Sequence, residues 1–150
     1  MFKILLALHL VFAVFAIGPL VHAATTAGRG VRKGDSAATA SSTRLLRIYG
    51  YASVLVVLTG LGLMNADLPY SGGGKAGEVG DLWIWLSLAL WVVAVGIILG
   101  VVVPTLDKAT ALIAQEKSVV TMTARVAASG GVVGLMFVAI VFLMVYRPGQ

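Results

Sequence analysis

The two histidines are the residues best suited to chemistry, because imidazole can act as a base, a metal ligand or a hydrogen-bonding group near neutral pH. Both His9 and His22 lie in one apolar stretch near the N-terminus. Thirteen helical residues separate them by about 20 Å, so one chain cannot place both on the two faces of one haem. His9 could ligate a cofactor shared with a partner or hydrogen-bond a quinone; the alternative is a neutral imidazole bonded to a neighbouring helix. His22 is expected near the membrane interface, solvated or touching headgroups.

The second chemical candidate is a group of acids in one Gly-rich loop, Asp67, Glu78 and Asp81. Hard divalent cations take carboxylate oxygens, but the ordered acid spacing of a calcium loop is missing. The pattern therefore favours a solvated acidic loop. Cysteine is absent, which excludes disulfides, thiolate metal sites and cysteine nucleophiles. No hydroxyl and base have the spacing of a nucleophilic pair, so we expect no catalytic residue, no metal ligand and no cofactor bound by this chain alone.

Composition indicates a membrane protein. Of 150 residues, 59% are hydrophobic and 11% are charged, with a mean hydropathy of +1.01. A soluble domain is about half apolar and about a quarter charged, and one this small has too little interior for the excess. The net charge is +5 and lies beside apolar segments, which favours anionic phospholipid headgroups. A nucleic-acid partner is not expected, because no soluble domain carries a basic face.

Four apolar runs are long enough to cross a hydrocarbon core of about 30 Å. They predict an all-α, four-transmembrane-helix bundle that forms one membrane domain over residues 1–150, with spans at about 4–24, 45–66, 82–103 and 126–146. Pro19 is predicted to kink the first span. The rival interpretation of that span is a signal peptide cleaved after the small-residue site Val21-His22-Ala23. Its apolar run exceeds the usual length of about 7–15 residues for a signal core, so a retained helix is favoured.

The connectors set the orientation. The connector at 25–43 is predicted to be a loop, with Ser41, Ser42 or Thr43 capping the next helix. Helix three is predicted to continue past Pro104 to a turn near Glu116–Ser118. Lys and Arg are concentrated in the first and third connectors, which predicts that loops 25–43 and 105–125 are cytoplasmic and that both termini lie outside. The basic residues around the first connector are also candidate lipid-headgroup contacts: Arg29, Arg32, Lys33, Arg44 and Arg47.

Glycines mark candidate packing faces. Small residues allow close approach of membrane helices, and here they imply tight packing within the bundle or onto another protein: Gly60, Gly62, Gly96, Gly100, Gly130 and Gly134. The sequence leaves these two alternatives open. Segments one and three also share a loose pattern, which suggests a duplicated hairpin. No acid or base lies in the middle of a span, which counts against a small oligomeric transporter or channel, because such proteins commonly need an intramembrane charge.

Three stretches carry a resemblance: HLVFAVFAIGPLVHAAT, TRLLRIYGYASVLVVLTGLGLM and WIWLSLALWVVAVGIILGVVVP. With the basic connector between the first two, the chain resembles a family of small bacterial four-helix integral membrane proteins of unknown function. More narrowly, it is similar to accessory subunits of the actinobacterial respiratory supercomplex that joins a cytochrome bcc complex to an aa-type cytochrome oxidase. The resemblance implies a non-catalytic subunit that stabilises or bridges that complex, with haem and quinone in partner subunits. The alternatives are the transporter or channel, and a haem- or quinone-binding redox protein using His9.

Overall fold

The protein is all-helical in a computed structural model that describes residues 1–66, 69, 75, 77–78 and 80–148. The elements in chain order are α1 Phe2–Phe12, a first π-helix Ala13–Ile17, α2 Gly18–Lys33, α3 Ser36–Met64, α4 Leu82–Ile97, a second π-helix Ile98–Val102, α5 Val103–Ala114 and α6 Val120–Tyr146. They form four continuous helices long and apolar enough to span a membrane, called helices one to four: Phe2–Lys33, Ser36–Met64, Leu82–Ala114 and Val120–Tyr146. The predicted four-helix membrane bundle is confirmed.

The prediction of a loop at 25–43 is wrong, because only Gly34 and Asp35 break the helix there. Gly34 adopts the left-handed conformation, with φ of 64°, which a residue without Cβ tolerates best. Asp35 then caps α3 by accepting a hydrogen bond from the Ala38 amide at 2.9 Å, in place of the serines predicted for that role. Such a cap stabilises a helix by about 1 kcal/mol. Helix one has 32 residues and is about 48 Å long, so it extends well beyond the hydrocarbon core.

The second hairpin turn lies where the sequence places it. Helix three continues through Pro104 to Ala114, and α6 begins at Val120. Glu116, with φ of 57°, reverses the chain between them. The predicted turn at 116–118 and the early start of helix four are confirmed. The prediction of a loop over 105–125 is wrong for residues 105–114 and 120–125, which are helical, because the helices of the second hairpin extend past a single membrane thickness.

Pro19 and Pro104 each lie just after a π-helix. Proline has no amide hydrogen to donate and its ring collides with the preceding turn, and a π-bulge widens the helix where such a residue must fit. Ala13 and Ile98, Ile17 and Val102, and Pro19 and Pro104 are each 85 positions apart. The same irregularity in the same register supports the duplicated hairpin.

The bundle is closed on the side of the two hairpin turns and open on the side of the termini. On the terminal side α1 packs mainly on α3 and α4 packs mainly on α6. Trp91 Nε1 of α4 donates a hydrogen bond to Ser53 Oγ of α3 and so links the two pairs. No residue of α1 is buried, and α4 buries only Ser87 and Ala94. On the turn side α2 packs against α3 and α6, and α3 packs against α5. The largest fully buried side chains lie mainly there or at the level of the second π-helix: Leu20, Val31, Leu46, Ile98, Val102, Leu106, Val126 and Val133.

Candidate functional site

A seam of small residues brings the backbones of α2 and α6 into close contact. A Cβ on Gly130 would lie inside contact distance of the Ala24 carbonyl oxygen and 2.8 Å from its carbon. One turn away, a Cβ on Gly134 would be 3.3 Å from Thr25 Cγ2, and one on Gly28 would be 3.2 Å from Ala127 Cβ. Gly130 and Gly134 therefore pack within the chain. Gly28 was missed as a packing residue because its segment was interpreted as a loop.

The glycines near the end of α3 receive α1. A Cβ on Gly60 would be 3.1 Å from His9 Cε1, and one on Gly62 would be 3.7 Å from Leu5 Cδ2. The absence of side chains on α3 thus makes room for the imidazole of His9. Gly60 and Gly62, like Gly130 and Gly134, are used inside the bundle.

Gly96 and Gly100 differ from the other glycine pairs because they face outward. Among the described residues, no atom lies within 4 Å of the position that a Cβ would take on either one. Both are exposed, and Val92, one turn before Gly96, is exposed on the same side of helix three. We call the exposed surface of Val92, Gly96 and Gly100 the glycine face. Of the three predicted pairs, this is the one that the chain itself leaves uncovered.

His9 is held by two groups of α3. Its Nδ1 lies 2.9 Å from the Val56 carbonyl oxygen and 3.2 Å from Thr59 Oγ1. A carbonyl oxygen can only accept, so Nδ1 carries the proton. The Thr59 hydroxyl lies 2.8 Å from the Leu55 carbonyl and donates to it, which leaves its oxygen able to share the imidazole proton. In the neutral ring the other nitrogen, Nε2, keeps a lone pair.

His22 lies apart from His9, as the spacing of the two histidines predicts. His22 is exposed on α2, and its backbone carbonyl accepts hydrogen bonds from the hydroxyls of Thr25 and Thr26. Those bonds do not involve its imidazole. The structure therefore brings no second imidazole to His9.

The predicted headgroup residues form an exposed basic band near the first turn, on α2 and α3: Arg29, Arg32, Lys33, Arg44 and Arg47. Arg47 pairs with Asp107 of α5. This pair lies in a groove of about 570 Å³ between α3 and α5, which Arg44 and Thr110 also line. Part of the charge of the band is thus neutralised within the chain.

A second groove was not predicted. It lies between α5 and α6, has a volume of about 430 Å³, and is lined by Gly100, Val101, Pro104, Thr105, Lys108, Thr121, Met122 and Arg125. In the sequence, Lys108 and Arg125 are recognisable only as two of the charges that orient the third connector. The sequence signal was the four-residue spacing of Gly100, Pro104 and Lys108, which places them on one helix face once α5 is known to be helical.

The acidic loop shows a local role for one of its members. The Asp81 carboxylate accepts a hydrogen bond from the Glu78 amide at 2.9 Å, while Asp67 lies outside the described residues. Within the described part of the chain, no three His, Cys, Asp or Glu side chains are grouped so that they could hold a metal ion.

The comparisons with known proteins add no relative. No protein-family model matches the chain, and no curated protein or solved structure matches it either. The fold therefore defines the class: an all-helical protein with four helices able to cross a membrane. Its distinguishing features are the glycine face, the bonded His9 and the groove between α5 and α6.

Proposed function

We propose that the protein is a non-catalytic accessory subunit that docks a helix of another membrane protein on the glycine face. The observation that carries this proposal is the contrast among the glycine pairs. Gly60, Gly62, Gly130 and Gly134 each meet atoms of a neighbouring helix, whereas Gly96 and Gly100 meet none among the described residues.

A glycine on an exposed helix surface has no benefit for the isolated chain. It is less favourable than alanine in a helix interior by about 1 kcal/mol. In a membrane it becomes useful when another backbone approaches closely, because packing and weak backbone contacts drive helix association there. Val92 within the glycine face and its neighbour Val93 are both exposed, so the surface offered to a crossing helix is apolar. The occupant we propose is one transmembrane helix of a different protein.

The resemblance of the sequence supplies the partner to test first: the cytochrome bcc–aa-type oxidase supercomplex of a bacterial inner membrane, whose other subunits would hold haem and quinone. The charge distribution supports an orientation with both termini outside and both hairpin turns in the cytoplasm. Eight of the 11 Lys and Arg residues lie on the turn side, and such residues are retained on the cytoplasmic side.

Native co-purification tests the proposal. The tagged protein is extracted from its membrane in a mild detergent, partners are identified by mass spectrometry, and haem is recorded by absorbance of the same sample. We expect Gly96→Leu to reduce recovery of the partner by about tenfold or more, because the leucine side chain would occupy the glycine face and keep the partner helix away. A loss of 1.4 kcal/mol in binding free energy corresponds to about a tenfold loss of affinity. Gly100 stays unchanged in this test because it also lines the second groove.

Gly131→Leu is the matched control. Gly131 is exposed on helix four, and no atom of the described residues lies within 4 Å of its Cβ position, so the same change there should leave partner recovery unchanged. A monomer without partners, or a dimer of this chain alone, would overturn the accessory role. A partner without haem would keep that role and overturn the respiratory assignment.

One observation favours a second candidate, a redox role for His9. Histidines that bind metals usually donate the other ring N–H to a backbone carbonyl or carboxylate, which fixes the tautomer and orients the free nitrogen. The bond from Nδ1 to the Val56 carbonyl is of that kind. Nε2 could therefore ligate haem or accept a hydrogen bond from a quinol, with any second ligand from a partner.

The spectrum of the purified protein tests this candidate. We expect a Soret band, or extractable quinone, that His9→Ala removes, because the variant lacks the ligating nitrogen. Thr59→Val is the control, since it removes a minor acceptor near Nδ1 and leaves Nε2 in place. A wild-type sample with neither haem nor quinone would dismiss the redox role, while loss in both variants would indicate damage to the packing of α1 on α3.

A further inference from the structure

The groove between α5 and α6 exists because helix three changes neighbours at the second π-helix. Before it, α4 packs closely along α6; after it, α5 packs mainly on α3 and touches α6 at few places. The change coincides with Ile98–Val102 and Pro104, the irregular section of the helix. The result is an open space of about 430 Å³ that begins at Gly100 and Val101 and extends toward the second turn.

The charges in this groove all have one sign. Lys108 of α5 and Arg125 of α6 line it from opposite walls, and no acidic residue is among its lining residues. No salt bridge within the described residues neutralises either cation. The groove between α3 and α5 is different, because Asp107 lies in it and pairs with Arg47. The chain therefore provides two converging positive charges here without a carboxylate of its own.

The remaining lining residues make the groove amphipathic. Gly100, Pro104 and Lys108 follow one another at intervals of four residues, so apolar surface leads directly to the ammonium group. Val101 and Met122 extend the apolar wall. Helix three runs from the terminal side toward the second turn, so the apolar end of the groove at Gly100 lies deeper in the membrane than Lys108. A free anion would use only the charged end, whereas an anionic lipid would use the whole length.

We propose that this groove binds an anionic phospholipid, with the phosphate between Lys108 and Arg125 and an acyl chain along Gly100 and Pro104. Basic recesses between transmembrane helices recognise anionic headgroups by this combination of charge and depth. The first turn of α6 adds to the positive potential, because it contains no acidic residue and no side chain caps it. The site shares Gly100 with the glycine face, whereas its charged end at Lys108 and Arg125 lies outside that face.

Lipid retention measures the site. The protein is reconstituted in phosphatidylcholine vesicles with or without phosphatidylglycerol, re-extracted, and its retained lipid is quantified by mass spectrometry. We expect the double variant Lys108→Gln and Arg125→Gln to retain less phosphatidylglycerol by on the order of tenfold, since each cation near the surface contributes about 1 kcal/mol. Phosphatidylcholine retention should not change.

Two controls separate a site from general attraction. The double variant Lys75→Gln and Lys117→Gln removes two exposed charges that line neither groove, and it should retain phosphatidylglycerol normally. Lys108→Arg with Arg125→Lys preserves the charges and should also retain it. Equal loss in the two glutamine variants would overturn the site. The site would also be overturned if the variant Lys108→Gln with Arg125→Gln keeps its fold, verified by circular dichroism, and its phosphatidylglycerol content is unchanged.

A further arm separates a lipid from a free anion. Glycerol phosphate, which has the phosphate but no acyl chain, is added to the lipid-loaded protein at millimolar concentration. We expect it to leave the bound phosphatidylglycerol in place, because it cannot occupy the apolar part of the groove. Displacement by glycerol phosphate would mean that the groove recognises a phosphate alone, and would overturn the proposed lipid specificity.

Discussion

Replacing Gly130 with alanine is expected to lower the free energy of unfolding by about 1–3 kcal/mol, the usual cost of forcing extra atoms into a packed interior. The new methyl group would collide with the carbonyl group of Ala24. Both colliding groups belong to helix backbones, so no side-chain rotation relieves the contact and α2 must move away from α6. That movement would also loosen the neighbouring contacts of Gly28 and Gly134. The stability is measured by denaturation in detergent micelles, followed by circular dichroism.

Gly131→Ala is the control for this expectation. It makes the same chemical change one residue later, where no atom in the described part of the chain lies within 4 Å of the new methyl group. Alanine is the better helix former, so this variant should be as stable as the wild type or slightly more stable. Equal free energies of unfolding for Gly130→Ala and Gly131→Ala would contradict the close backbone contact between α2 and α6.

The second large effect is expected for Leu106→Ala, which should lower the free energy of unfolding by about 2–5 kcal/mol. Leu106 has no exposed surface and belongs to the core cluster beyond the second π-helix. Truncation leaves a cavity that the surrounding helices can close only in part. The free energy of unfolding is measured by the same denaturation in detergent micelles, and the loss of stability should appear at every detergent concentration.

Leu135→Ala provides the comparison, because the Leu135 side chain is 72% exposed on helix four. Its truncation removes contacts with lipid or detergent and creates no internal cavity, so stability should change by about 0.5 kcal/mol or less. An equal effect of the two substitutions would contradict the assignment of a packed core to the turn side of the bundle.

Hydropathy was sufficient to predict the four spans, because residues such as those of α4 must leave water whatever their tertiary contacts. It failed at 25–43, because the apolar periodicity is lost there and the Gly, Ser and Thr residues are weaker helix formers than the alanines among them. Thr39 and Thr43 are nonetheless buried there, and the Thr110 hydroxyl donates to Thr39 Oγ1 at 2.7 Å. Tertiary packing of small residues stabilises these helical turns, and single-residue propensity does not report it.

The candidate sites were predictable in residue type and unpredictable in arrangement. Six glycines were identified as packing residues. The pairs Gly96/Gly100 and Gly130/Gly134 have the same four-residue spacing, although the first pair faces outward and the second faces another helix of the chain. His9 could be identified as an intramembrane polar group, whereas its bond to Val56 depends on how α1 crosses α3. Lys108 and Arg125 are 17 positions apart, and only the turn between α5 and α6 brings them to one groove.

The two matched π-helices also allow the two hairpins to be compared residue by residue. In parallel repeats, equivalent segments are related by an axis along the membrane normal, and the 85-residue offset defines which residues correspond. At this offset, Ala23 and Ala40 occupy the positions of Lys108 and Arg125. Ala23 is buried, and a Cβ on Gly30 would lie 3.3 Å from Ala38 Cβ, so the two cations of the second hairpin have no counterpart in the first. At these positions the first hairpin contributes close packing, and the second contributes a basic surface.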